Sequence, residues 1–392
     1  MVYNWAKTHM KIVFCGGGTG GHFYPLIAIA ESVHEKAREH RLITPRLYYL
    51  APVPYDEQSL FAAEMIFIPV PAGKWRRYFS MKNYADLFVT LYGLFKALVT
   101  VYQIYPDVVI SKGGFASVPV TLAARFWRIP VIVHESDSKP GRANLMAAKY
   151  AYRIAISFPG AAALFPKSAQ AKIALTGIPI RRGLKGGTPD AARAQLGLDA
   201  SVPTVLILGG SSGSARINEA VLSGLIDMVG SLNIIHQTGR AEFAEIERTA
   251  KVILADNPNA SRYHVFDFLS LESLRNAGAA ASVIVSRAGA GSIAELSMLQ
   301  KPAILIPIPE SVSHDQRTNA YTYARTGAAV VLEEQNLTPH LLASEAKRIA
   351  ADQALSASMS RAGAAFMPAD AADLIAEEAI RIGLSHEPQP VV

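Results

Sequence analysis

The residues of this chain that could do chemistry gather in short glycine-rich strings next to apolar runs. Gly16–His22 reads GGGTGGH. Glycines let backbone N–H groups come close to an anion, and a following helix adds the partial positive charge of its N-terminus. Gly16, Gly18 and Gly21 formally satisfy the dinucleotide pattern GxGxxG. That site also needs an acidic residue at the end of the next strand, where this chain has Leu50, Ala51 and Pro52, so a nicotinamide dinucleotide is not favoured. His22 follows the loop directly. Its imidazole could take a proton from an attacking hydroxyl, or only hydrogen-bond a ligand or the loop, and both roles stay open. Lys112–Ser117 (KGGFAS) and His134–Asp137 (HESD) lie at the ends of two further apolar runs and are expected on the same rim as Gly16–His22. His134 and Glu135 could face a ligand or form a structural pair.

The second half repeats the theme. Ser286–Glu295 (SRAGAGSIAE) sets glycines between a strand and a helix, a seat for a pyrophosphate. Glu295 has two readings: with Ser292 it spells the S-x-x-E capping box, or it accepts hydrogen bonds from two ribose hydroxyls. Arg181 could clamp a diphosphate or be a plain exposed arginine. His314–Asn319 (HDQRTN) offers amides to a sugar. No D-x-D pair and no zinc-like spacing occurs, so no metal is expected, and helix dipoles with Arg181 would have to stabilise a departing diphosphate.

The elements that must hold these strings alternate strand and helix, which points to parallel sheets with helices on both faces. Lys11–Cys15, Arg46–Leu50, Asp107–Ser111 and Pro130–His134 read as buried strands, and Pro25 is expected to open a helix that buries Leu26, Ile29, Ala30 and Val33. Around residue 180 the texture turns loop-rich. Then Thr204–Leu208 runs into GGSSG and a helix from about Ala215, repeating the opening pattern. Ser282–Ser286 and Pro302–Pro307 read as further strands, and Leu341–Leu384 as a helical region broken near Pro368. The expectation is an α/β chain of two doubly wound domains. Residues 1–180 form the first and 181–365 the second, with a helical tail, 366–392, returning toward the first.

Composition agrees with a globular chain. With 50% hydrophobic and 18% charged residues, disordered, collagen-like and coiled-coil classes are excluded. A single cysteine, Cys15, excludes a disulfide scaffold and fits a reducing compartment, and Met1–Lys11 does not read as a secretory signal. Net charge is +6, but residues 1–180 carry 20 Lys+Arg against 10 Asp+Glu and the remainder 18 against 22. A basic front half suits a polyanion or an anionic membrane surface. No nucleic-acid recognition motif accompanies it. Tyr84–Tyr105 is apolar enough to raise the question of a membrane span. Asp86 and Lys96 would be costly there, and Leu87, Leu91, Leu94, Phe95, Leu98 and Val99 keep helical spacing, so a helix packed by that face is expected.

The ordered set GGGTGGH, GGFASVP, HESDSKPGRAN, GIPIRR, GGSSGSARIN, SRAGAGSIAE and PAILIPIP with HDQRTNA resembles the MurG family of bacterial cell-wall glycosyltransferases, the UDP-N-acetylglucosamine transferases that make lipid II. The resemblance runs from about Lys11 to about residue 350. It implies a GT-B fold, two Rossmann-like domains facing a cleft. It further implies that Thr19, Gly20 and Gly21 meet the acceptor's pyrophosphate and the donor sugar, with His22 the candidate base. Arg181 and Ser211 would contact the donor diphosphate. Ala290, Gly291, Ser292, Ile293, Ala294 and Glu295 would hold uridine, ribose and phosphate, with Glu295 on the ribose and Gln316 facing the donor sugar. Asp137 stands where relatives carry a sugar-contacting asparagine, and Ile178 replaces the asparagine before the Arg181 string. The uracil-facing residue is Leu269 or Leu271.

The implied activity is inverting transfer of N-acetylglucosamine from UDP-N-acetylglucosamine to the muramyl 4-hydroxyl of lipid I, giving lipid II for peptidoglycan synthesis. Another GT-B transferase with a diacylglycerol-type acceptor, or a non-catalytic nucleotide-sugar-binding subunit, are the alternatives. Lys74, Trp75, Arg76, Arg77 and Phe79, with Lys82, place cations and aromatics ahead of the apolar helix. That suits peripheral attachment to anionic lipid at the cytoplasmic face of the cell membrane.

Overall fold

The structure is a computed structural model and describes residues 9–17, 20–73, 82–210, 213–311, 315–368 and 370–385, with side chains from residue 88 in the segment that starts at 82. The chain divides into two compact units, Met1–Arg181 with Pro368–Val392, and Arg182–Met367.

The first unit is built on β1 (Lys11–Cys15), β2 (Arg46–Ala51), β3 (Met65–Pro69), β4 (Val108–Ser111), β5 (Val131–Glu135), β6 (Arg153–Ile156) and β7 (Ile173–Leu175). They form one sheet in the order β3-β2-β1-β4-β5-β6-β7, every pair parallel. Burial on both faces explains why the central strands read as unbroken apolar runs. One face is closed by the first helix, Gly20–Glu39, together with the last, Ala371–Leu384, whose Ile375, Ala376, Ala379 and Ile380 share a core with Phe23, Leu26 and Ile29. The second unit repeats the plan with β8 (Thr204–Leu208), β9 (Asn233–Gln237), β10 (Tyr263–Phe266), β11 (Val283–Ser286), β12 (Ala303–Leu305) and β13 (Ala329–Val331). Its all-parallel order is β10-β9-β8-β11-β12-β13.

In each sheet the chain first winds one way from the leading strand and then resumes on that strand's other side. The reversal falls between β1 and β4 in the first unit and between β8 and β11 in the second. Open parallel sheets bind ligands just beyond the strand carboxyl ends at such a switch point. Among the described residues, those leaving these four strands are Gly16 and Gly17, Lys112–Gly114, Gly209 and Gly210 with Gly213, and Arg287–Gly289. Topology thus puts the glycine strings where a ligand would seat.

Three local expectations are corrected. Pro25 does not open the first helix, which begins at Gly20 and carries Pro25 inside it. The helical donor that Pro25 lacks would have served Gly21, an exposed residue whose carbonyl can turn to water, so the break is tolerated. The C-terminal helical region breaks at Asp352 as well as near Pro368, because the Asp352 carboxylate caps a new helix through the Leu355 N–H at 2.9 Å.

The third correction concerns the helix Lys82–Ile104. Its buried residues are Gly93, Ala97, Thr100, Val101 and Ile104, whereas Leu91, Phe95 and Val99 are exposed and Leu94 and Leu98 half-buried; the Leu87 side chain lies outside the described residues. The packed face is the one with small side chains. A Cβ on Gly93 would stand 1.8 Å from the Pro71 carbonyl oxygen, so the backbones approach too closely for a larger residue. Phe88, Tyr92 and Tyr102 join the exposed stripe at 71%, 60% and 58% exposure. Among the described residues no helix is long and apolar enough to cross a membrane.

Candidate active site

In the first unit, the loop after β1 is held by the Tyr49 hydroxyl, which donates to the Gly16 carbonyl at 2.7 Å. Gly113 and Gly114, after β4, take left-handed φ values of +82° and +75° that suit glycine. A Cβ on Gly114 would stand 3.6 Å from His22 Nε2, so the imidazole lies against this turn. Gly20 is buried and Gly21 exposed at the helix start. Burial first, and the Lys112 ammonium second, push the His22 imidazole down to about 4. It is therefore a neutral imidazole at physiological pH.

At the β5 end, His134 and Glu135 do not form a pair with each other. His134 donates Nε2–H to the Gly177 carbonyl at 2.9 Å, and its buried Nδ1 has no hydrogen-bond partner. The Glu135 carboxylate accepts from the backbone N–H groups of Asp137 and Gly141 and from Asn144 Nδ2, each at 2.9 Å. His134 fixes backbone, and Glu135 fixes backbone and the Asn144 side chain, rather than each other. They shape the loop that carries half-buried Asp137. Arg181 is neither exposed nor loose: its guanidinium lies 4.4 Å from the Tyr24 ring centroid, stacked on the helix that carries His22.

In the second unit, Ser214 caps the helix Ala215–Ser223 by accepting from Ile217 N–H at 3.4 Å. A Cβ on Gly213, at φ +79°, would fall 2.2 Å from the Thr238 carbonyl oxygen, so only glycine fits that corner of the loop. After β11 comes the helix Ala290–Leu299, with Gly289 at its N-cap and no side-chain cap. Ser292 is its third residue and Glu295 its sixth, so the capping box is not formed. The N–H groups of its first turn therefore stay available to an anion. Ser292 Oγ lies 3.8 Å and Gln316 Nε2 4.0 Å from where a Gly289 Cβ would stand, and nothing lies within 4 Å of one on Gly291. Gln316 is oriented by Ile308 N–H, which its Oε1 accepts at 3.2 Å.

Ile293 and Ala294 are fully buried, and Ile293 N–H is bonded to the Gly289 carbonyl at 3.0 Å. Ala290 is also buried. Leu269 N–H is held by Gln237 Oε1 at 3.0 Å, while Leu271 packs toward Gly183. Thr19, Ser211, His314 and the string Lys74, Trp75, Arg76, Arg77 and Phe79 lie outside the described residues. Among the described residues no group of three or more His, Cys, Asp or Glu could hold a metal ion.

Arg287 was not singled out from sequence, and it ties this site together. Nearly buried, it donates Nη1–H to the Ile306 carbonyl at 3.1 Å and Nη2–H to Ser214 Oγ at 2.6 Å, and pairs with Glu334 at 2.5 Å. It thus links the loops after β8, β11 and β12. Its partners are far away in sequence, so only its place directly after a buried strand hinted at the role. Arg287→Ala is expected to cost about 3 kcal/mol of stability, since it orphans a largely buried carboxylate. Thermal unfolding checks this, and Arg287→Lys, which keeps the charge without the fork, is expected to fall between.

Comparison with known proteins agrees with this architecture. Residues 12–156 match the glycosyltransferase family 28 N-terminal domain and residues 204–375 its C-terminal domain. A UDP-N-acetylglucosamine–N-acetylmuramyl-(pentapeptide) pyrophosphoryl-undecaprenol N-acetylglucosamine transferase of Treponema denticola is 33% identical over 341 residues, 84% of this chain and 85% of the relative. The protein of that name from Lachnospira eligens is 37% identical over 348 residues, 88% and 92% of the two chains. Among solved structures, MurG of Acinetobacter baumannii superposes with a TM-score of 0.70 at 24% identity, covering 95% of this chain and 99% of that one. A UDP-N-acetylglucosamine 2-epimerase superposes at 0.68 with 15% identity and 98% coverage of both, a likeness of fold alone. With two parallel-sheet Rossmann-like units, each reversing at a glycine-lined switch point, this chain has the GT-B fold and is a glycosyltransferase belonging to family 28.

Proposed function

We infer that this chain moves N-acetylglucosamine from UDP-N-acetylglucosamine to the muramyl 4-hydroxyl of lipid I, giving lipid II for peptidoglycan synthesis. The observation that carries this is the start of the helix Ala290–Leu299, uncapped by any side chain, with Ser292 and Gln316 gathered at it. The donor pyrophosphate seats on the N–H groups of its first turn, Glu295 holds the ribose and Gln316 the sugar. Gly20, Gly21 and His22 serve the acceptor. His22 takes the proton of the 4-hydroxyl, whose oxygen bonds to the anomeric carbon as the bond to UDP breaks, so the configuration inverts. The charge developing on UDP is met by the helix dipole and by Arg181. Thr19 and Ser211 complete the two pyrophosphate loops, and Asp137 accepts from a sugar hydroxyl.

The decisive assay incubates the purified chain with radiolabelled UDP-N-acetylglucosamine and a short-chain lipid I analogue in the presence of EDTA. Labelled lipid II is the expected product. Turnover only with UDP-galactose and diacylglycerol, or none with either pair, would reject the assignment.

The chain works at an anionic membrane surface, on the cytoplasmic face, attached peripherally. Support comes from the exposed apolar stripe Phe88, Leu91, Tyr92, Phe95 and Tyr102, directly after the basic, aromatic string Lys74–Phe79 in sequence. Such a pairing suits an interface with negatively charged headgroups. Replacing Phe88, Leu91 and Phe95 together by Ser is expected to weaken sedimentation with phosphatidylglycerol vesicles by about 10-fold or more, without lowering turnover of a water-soluble acceptor.

A further inference from the structure

Gln237 ends β9 and is 6% exposed, with both ends of its amide engaged. Its Oε1 accepts from Leu269 N–H at 3.0 Å, in the segment after β10. Its Nε2 donates to the Gly210 carbonyl at 3.4 Å, in the glycine loop after β8. That carbonyl also accepts from Gly213 N–H at 3.1 Å, so the amide grips the bend from which the loop turns toward the helix Ala215–Ser223. Arg287 holds the far end of the same loop through Ser214. One side chain therefore joins the ends of three adjacent strands, β8, β9 and β10. The backbone sets the orientation of the amide. Leu269 presents a donor and Gly210 an acceptor, and a glutamine answers both without bringing a charge into a buried place.

We propose that Gln237 is a positioning residue for the donor: its amide fixes the glycine loop after β8 against the Leu269 segment after β10, and this spacing sets how tightly a uridine diphosphate is held. The proposal rests on the reading that the nucleotide seats in the second unit. On that reading the diphosphate lies beyond β8 and β11 and the uracil beside residues 269–271. The two loops that the amide joins then serve opposite ends of one ligand. Leu269 is 4% exposed and its N–H is already used, so it anchors the segment and does not donate to a base. Loss of the amide would leave that buried N–H without an acceptor and free the Gly210 carbonyl to turn. Ordering both loops would then fall on the ligand, which weakens binding without touching the chemical step.

The test measures UDP binding by calorimetric titration, with steady-state kinetics beside it, in the full chain and in two variants. Gln237→Leu keeps most of the bulk and removes both bonds. Gln237→Glu keeps the acceptor but sets a carboxylate against the Gly210 carbonyl; once protonated, the same carboxyl donates and accepts as the amide does. With Leu, UDP affinity is expected to fall and donor KM to rise roughly 10-fold, with kcat nearly kept. With Glu the same loss is expected at about pH 8, and recovery to within about threefold of the unmodified chain at about pH 5, where burial helps to keep the carboxyl neutral. Each variant is compared with the unmodified chain at the same pH, so the titration of UDP and of the neighbouring His236 and Asp267 cancels. Unchanged UDP affinity in a folded Gln237→Leu protein, or no recovery of Gln237→Glu at the lower pH, overturns the proposal. Should neither variant fold, hydrogen exchange at the Leu269 amide of the unmodified chain decides: slowing under saturating UDP supports the proposal, and an unchanged rate overturns it. If the unmodified chain does not bind UDP, or Glu295→Ala binds it equally well, the placement of the nucleotide falls and the proposal with it. If Glu295→Ala weakens UDP binding while both Gln237 variants match the unmodified chain, the proposal alone falls.

Discussion

Replacing His22 by alanine is expected to lower kcat by about 100- to 10,000-fold, the usual worth of a positioned general base. Donor KM should change little, because a general base acts on the acceptor's hydroxyl in the transition state and not on the bound nucleotide. The same residue sets a pH signature. Its folded value lies below the ordinary histidine range, at about 4, so the proton-accepting form prevails above that pH. The free enzyme's kcat/KM should therefore hold through neutral pH and fall only as the pH drops through about 4. Full turnover in His22→Ala would reject the base role, and an acid limb in the ordinary imidazole range would mean that Lys112 and burial do not control it. Steady-state kinetics over a pH series reads both.

Replacing Glu295 by alanine should act in a different way. Donor KM is expected to rise roughly 10- to 100-fold, the value of hydrogen bonds between a carboxylate and two hydroxyls, with kcat nearly kept. The competing role for Glu295, the acidic partner in a capping box, predicts instead a loss of stability of about 0.5–2 kcal/mol with no preference for donor kinetics. The helix begins at Ala290 with Gly289 as its cap, which puts Glu295 a full turn too far along to serve that end. Calorimetric unfolding beside the kinetics separates the two. A lowered melting temperature with unchanged donor KM would return Glu295 to a structural role.

Much of the frame was legible because the glycine strings interrupt buried apolar runs. Thr204–Leu208 is visible as a strand to the residue, since burial on both faces forces every position to be apolar or small. The strands with weaker patterns escaped. Tyr263–Phe266 is half-buried along its length, and Ile173–Leu175 and Ala329–Val331 are three-residue strands, too short for any period to show. The helix Lys82–Ile104 shows a different limit. Periodicity located its apolar stripe but not its direction, because the stripe turned outward while Gly93 and Ala97 packed inward. Small residues four apart were the available signal for a close backbone approach.

At the candidate site, which loops meet was readable and which side chains support them was not. His134 and Glu135 stand together in sequence yet bind Gly177 and Asn144 respectively. Arg287 draws on Ser214, Ile306 and Glu334, none of which its own string suggests. Polar side chains of this kind take partners set by the crossing of strands rather than by spacing along the chain.

The central claim is that a uridine diphosphate sugar is held at the start of the helix Ala290–Leu299, and a crystal structure of the chain with UDP-N-acetylglucosamine tests it most directly. The account predicts the pyrophosphate on the N–H groups of Ala290, Gly291 and Ser292, with both ribose hydroxyls on the Glu295 carboxylate. Nucleotide bound at the Gly16–Gly21 loop instead, with the 290–295 segment empty, would contradict it.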